Sequence, residues 1–144
     1  MASIDYKQLR KDLGEKIQAA GISISGKCTD RGDDRTPSKW FLTIEGPRGT
    51  FSTEYTQGAA YRTKGTFGRY SEPTRPDIVD VLHCLHLDGE AGREIFVDFC
   101  ANYGYDEDSR KAFETWQACQ NTYSELRRIG VASALDWSTL FADF

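Results

Sequence analysis

Three adjacent carboxylates, Asp106, Glu107 and Asp108, stand inside the stretch CANYGYDEDSRKAFETW, Cys100 to Trp116. Such a run can ligate a hard cation, start a helix or face a basic partner. A calcium loop of the EF-hand type takes oxygen ligands at its first, third and fifth positions, a glycine at the sixth and a glutamate at the twelfth. Counted from Asp106, the third position is Asp108, but Arg110, Lys111 and Gln117 fill the other three. Two cations inside the loop exclude calcium. A DNA-reading helix pair is excluded by charge, because the start of its second helix approaches phosphates and here would carry Glu107 and Asp108. The spacing predicts a seam between two helices. Gly104 takes the left-handed position after a helix ending at Tyr103, and Tyr105 makes the accompanying apolar contact. Asp106 caps the next helix, with Glu107 and Asp108 in its first turn. The three acids are then an outward-facing anionic corner and the expected partner-binding residues.

A second constellation is His83, Cys84 and His86, with Cys100 and Cys119 on neighbouring predicted helices. Converging, they would suit zinc. On a helix, however, consecutive residues diverge by about 100°, so only His83 and His86 share a face. Cys84, Cys100 and Cys119 fall on apolar stripes, as core thiols do. Cys28 completes a set with no C-x-x-C spacing, which argues against a disulfide framework. GTFGRYSEP lacks the Lys-Ser/Thr of a phosphate loop, and no nucleophile elbow is present. The expectation is a protein with no metal, no cofactor and no catalytic residues. A third set, Tyr61, Arg62, Lys64, Phe67 and Arg69, interleaves cations and rings within 61–75. That pattern suits phosphate contact with base stacking, and makes a nucleic-acid-binding module the alternative reading.

These residues need elements to hold them. Tyr6, Leu9, Leu13 and Ile17 recur at helical spacing behind Ser3 or Asp5 as cap, with Gly21 as stop. Ile22 and Ile24 begin a strand. Trp40, Leu42 and Ile44 alternate in a second, and Phe51, Thr53 and Tyr55 in a third. The turn residues Gly46–Gly49 join the last two into a hairpin. From 57 to 76 no period survives, which predicts a long loop. A helix then starts at Thr74 or Pro76, carries Ile78, Val81, Leu82 and Leu85, and stops at Gly89. A second is predicted over Gly92–Tyr103. A third, about Glu107 to Ile129, places Ala112, Trp116, Cys119, Tyr123 and Leu126 on a narrow seam. Trp137, Leu140 and Phe141 provide apolar docking positions in the tail. The predicted fold class is α+β in one domain, 1–144: helix and three-stranded antiparallel sheet over 1–56, loop over 57–76, and a helical half over 77–144 packed on the sheet.

At 144 residues, 39% hydrophobic and 28% charged, the chain can bury a core without staples. No apolar run reaches the ~18–20 residues of a membrane span, and MASIDYKQLRKDL has no apolar signal stretch. A cytoplasmic protein is expected. Residues 1–75 carry thirteen Lys/Arg against nine Asp/Glu, whereas 76–144 carry five against thirteen. That asymmetry bears on partner choice and on steering.

FSTEYTQG, PTRPDIVDVLHCL and FVDFCANYGYDEDSRKAFETWQACQ resemble a family of small uncharacterised proteins of tailed phages and prophages, over roughly residues 40–130. YGYDEDSRKA followed by ACQ carries most of the likeness. The resemblance implies a phage origin and transfers no site residue. Small phage accessory proteins commonly bind a host protein, including defence machinery such as CRISPR effectors. The implied partner is a bacterial protein or nucleoprotein complex in the host cytoplasm, met through the acidic helical surface.

Overall fold

The computed structural model describes residues 5–33, 35–58, 62–64 and 71–135, with the backbone alone for 62–64, 71 and 72. Helix α1 spans Tyr6–Ala19, and Asp5 is its cap: the carboxylate accepts from the amides of Lys7 at 3.1 Å and Gln8 at 3.2 Å. Such a cap contributes about 1 kcal/mol. Leu13 and Ile17 are its buried stripe. Gly21, at φ 82°, turns the chain so that buried Ile22 leads into the sheet.

Strands β1 (Ser23–Asp30), β2 (Ser38–Gly46) and β3 (Gly49–Gln57) form an antiparallel sheet in that order. Gly46 pairs with Gly49 across the two-residue turn Pro47–Arg48. Trp40, Leu42 and Ile44 are buried while the intervening Phe41 is exposed, the alternation of a sheet covered on one face. The β1 edge slips register between Cys28 and Asp30. A bulge of this kind discourages pairing with another chain.

The 57–76 region departs from the expected loop. Strands β4 (Arg62–Lys64) and β5 (Ser71–Pro73) pair antiparallel, Arg62 with Pro73 and Lys64 with Ser71. Three residues are too few to display a period, although backbone pairing joins the two strands.

Helix α2 runs Ile78–Gly92, capped by Asp77, whose carboxylate accepts from the Val79 amide at 2.7 Å. It starts later than Thr74 or Pro76 and continues past Gly89. That glycine lies inside the α2–α4 interface, where a Cβ would meet Tyr123 at an ordinary contact distance. Helix α3 is accordingly shorter than expected, Phe96–Tyr103. Gly104 ends it in the left-handed conformation, φ 73° and ψ 28°, and the Tyr105 amide donates to the Cys100 carbonyl at 2.9 Å.

Helix α4 is Arg110–Arg128, and here the expected cap is corrected. Ser109 is the N-cap, its hydroxyl accepting from the Ala112 amide at 3.2 Å. The Asp106 carboxylate instead accepts from the Asp108 amide at 3.0 Å, and the Ser109 amide closes the turn on the Asp106 carbonyl at 2.9 Å. One tight turn is thereby inserted before the helix. Glu107 and Asp108 precede the helix rather than forming its first turn. After Gly130, at φ 85°, helix α5 spans Val131–Ala134. Trp137, Leu140 and Phe141 lie outside the described residues.

The main core joins Leu13 and Ile17 of α1, the Trp40–Leu42–Ile44 face, Val81, Leu82 and Leu85 of α2, and Leu126 and Ile129 at the end of α4. A second cluster, Phe99, Cys100, Ala91 and Ala112, ties α3 to α2 and α4. The helical half therefore packs on the sheet as expected and carries a smaller core of its own. Among the described residues no helix is long and apolar enough to cross a membrane.

Candidate functional site

The acidic corner is built on the second cluster. Phe99 stacks on Tyr105 with ring centroids 5.5 Å apart and planes at 11°. Phe96, Phe113 and Trp116 meet one another at 5.4–5.8 Å. The Trp116 indole N–H donates to the Glu94 carbonyl at 2.9 Å, and the Asn102 amide donates to Glu94 Oε1 at 2.8 Å. These contacts hold α3 against α4 and present the connecting turn to solvent. Asp106, Glu107 and Asp108 are all exposed on it, and none makes an ion pair among the described residues. Their field reaches inward: the buried Cys100 thiol is pushed up first by burial, then by Glu107 and Asp106.

The apolar surface around this cluster is incompletely covered. Leu87, Ile95, Val97, Tyr103 and Phe113 are exposed large hydrophobic residues of the helical half. Between α2 and α4 lies a groove of about 450 Å³ walled by Leu87, Ala91, Phe99, Tyr103 and Tyr105. It continues toward the sheet as a second hollow of about 480 Å³ walled by Tyr55, Cys84, Leu85 and Ala118. The two share Asp88, Thr115 and Cys119. Glu90 borders the first and Glu54 the second, and no lysine, arginine or histidine lines either among the described residues.

The groove's electrostatics follow from that lining. Asp88 is exposed where the two hollows meet, and its partial burial against the groove walls pushes the carboxyl above its ordinary value. Desolvation likewise raises the Tyr103 hydroxyl, and the carboxylates of Glu94, Asp88 and Glu90 add to the shift. Cys119 is raised by burial and then by Asp88. Cys84 is raised by burial, partly offset by a hydrogen bond with Tyr55. These shifts run opposite to that of an activated thiol nucleophile, whose value is lowered.

The expected core role of Cys84 is corrected: the residue is exposed, whereas Cys100 is buried and Cys28 and Cys119 are intermediate. On α2 the buried positions include Val81, Leu82 and Leu85, and Cys84 beside them lines the second hollow. No group of three or more His, Cys, Asp or Glu able to hold a metal occurs among the described residues. The His83 imidazole is lowered by partial burial and then by His86, with Asp80 opposing. Of the basic aromatic set, Arg62 and Lys64 lie on β4, while Tyr61, Phe67 and Arg69 lie outside the described residues.

Sequence reasoning found the corner and missed the groove. Asp88, Tyr55 and Tyr103 come from α2, β3 and α3, and no local spacing connects them. No family model, no curated protein and no solved structure matches the chain.

Proposed function

We propose that this protein is a non-catalytic, phage-derived binding protein that inhibits or redirects a macromolecule in the cytoplasm of a bacterial host. An anti-defence inhibitor of the anti-CRISPR kind is the form of the proposal that best suits its charge. The observation that carries it is the exposed turn of Asp106, Glu107 and Asp108, three carboxylates without an ion pair among the described residues. Keeping like charges together and unneutralised opposes folding slightly, yet it speeds encounter with a basic surface and sets partner choice. A surface that ordinarily holds nucleic acid is such a partner.

Replacing Asp106, Glu107 and Asp108 together by lysine tests this. The partner captured from bacterial lysate by the wild-type protein, and identified by mass spectrometry, is expected to be lost by the variant. The wild-type interaction should weaken as salt shortens the screening length from about 10 Å at 0.1 M toward 3 Å at 1 M. Equal capture by both proteins would remove the acidic-corner mechanism.

A further inference from the structure

We infer that the groove between α2 and α4 seats an arginine or lysine side chain of a basic protein segment, with Asp88 as its counter-ion. The inference rests on the reading of this protein as a partner-binding protein, and it names the chemistry that the partner must present.

The occupant follows from the lining. A purely apolar ligand would cover the exposed Asp88 carboxylate without pairing it, the costly state of a carboxylate. An anion would meet Asp88, Glu90 and Glu54 with no cation among the described lining residues. A small inorganic cation would find Asp88 and Glu90 on α2 and Glu54 away on β3, with no cluster of three ligating groups among the described residues. A long alkyl or guanidinium side chain satisfies both features. Its stem lies along Leu87, Ala91 and Phe99, and its charged end reaches Asp88, where the two hollows meet. Tyr103 and Tyr105 on one side and Tyr55 on the other supply ring surface, to which guanidinium and ammonium groups are attracted. The raised Asp88 carboxyl is consistent with a counter-ion place left open in the unbound protein. Exposed Leu87 and Tyr103 at the rim offer apolar contact to residues flanking the cation.

The test uses the full chain and a fluorescent peptide of arginine and leucine, with citrulline replacing arginine in a neutral control of nearly the same shape. The arginine peptide is expected to bind about tenfold or more tightly than the citrulline peptide, and Asp88→Asn should abolish that difference. Adding the arginine peptide should also shift the amide resonances of Thr115 and Cys119, and lower the Asp88 carboxyl titration followed by carbon NMR. The titration needs no variant and stays informative if Asp88→Asn folds poorly. Equal binding of the two peptides, or an Asp88 titration unmoved by the arginine peptide, overturns the inference. If the lysine variant of 106–108 loses its lysate partner while Asp88→Asn retains it and binds both peptides as wild type does, the groove is overturned and the corner reading stands. The reverse pattern keeps the groove and removes the corner. Concentration-dependent self-association abolished by Asp88→Asn assigns the groove to a second copy and likewise overturns the inference.

Discussion

Gly92 of α2 sits directly on the backbone of Cys119 in α4: a Cβ at position 92 would stand 2.5 Å from the Cys119 carbonyl oxygen and 2.5 Å from the Gln120 nitrogen. No side-chain rotation relieves a clash with main chain. The glycine therefore sets how closely α2 and α4 approach, and so the width of the groove between them.

Gly92→Ala should destabilise the fold by about 1–3 kcal/mol, the range for overpacking a tight site. Gly89, one turn earlier, would place a Cβ 3.6 Å from Tyr123 Cα, an ordinary contact. Gly89→Ala should be neutral or stabilising by up to about 1 kcal/mol through helix propensity. Urea unfolding of the two variants checks the contrast, and equal midpoints would contradict the close approach at Gly92.

Ser109→Ala should cost about 1 kcal/mol through loss of the α4 cap, while Asp106→Ala should cost less, since its carboxylate closes only the preceding turn. Thermal melts of both variants decide the order. A larger loss for Asp106→Ala would restore it as the cap.

Asp88 gives a stability effect of defined sign. Its carboxyl titrates higher in the folded chain than its ordinary 3.8 because its surroundings disfavour the charge. The folded state then holds the proton more tightly, so this group's contribution to stability falls as pH rises from about that ordinary value through the folded one. Asp88→Asn should raise the melting temperature at neutral pH, and the gain should vanish at pH well below the carboxylate range. A variant no more stable than wild type at neutral pH would count against the desolvated carboxylate.

The cysteines should differ in reactivity. Iodoacetamide should label exposed Cys84 before buried Cys100 in the native protein. Because Cys84, Cys100 and Cys119 are all raised, their labelling should speed up as pH climbs above the ordinary thiol value of 9.0. Mass spectrometry of tryptic peptides over a pH series reads both effects. Cys100 reacting first would place it outside the second cluster.

Much of the architecture could be read from local pattern. Asp5, the Leu13–Ile17 stripe, the alternation of Trp40, Leu42 and Ile44, and Gly104 each act through neighbours in sequence, and each does in the fold what its spacing suggests. The start of α4 was harder to place. Asp106 and Ser109 are both good capping residues three positions apart, and the choice falls to Ser109 because Asp106 engages the Asp108 amide. Cys84 departs from its pattern because it follows buried Val81 at i, i+3, and only the packing of α4 and β3 shows which side is filled. The groove is wholly non-local. Tyr55, Asp88 and Tyr103 gain a shared role only once four elements converge.

The Arg48 amide, at the tip of the β2–β3 hairpin, donates to the Ile129 carbonyl at 2.8 Å, and Gly46 would carry a Cβ 2.5 Å from that same oxygen. The hairpin and α4 each assemble from nearby residues, but this bond joins the hairpin tip to the end of α4 and forms only when the two are docked. Its proton is therefore sheltered only while the two halves are docked. Hydrogen exchange at Arg48 measures the free energy of their separation, as distinct from the fraying of either half alone.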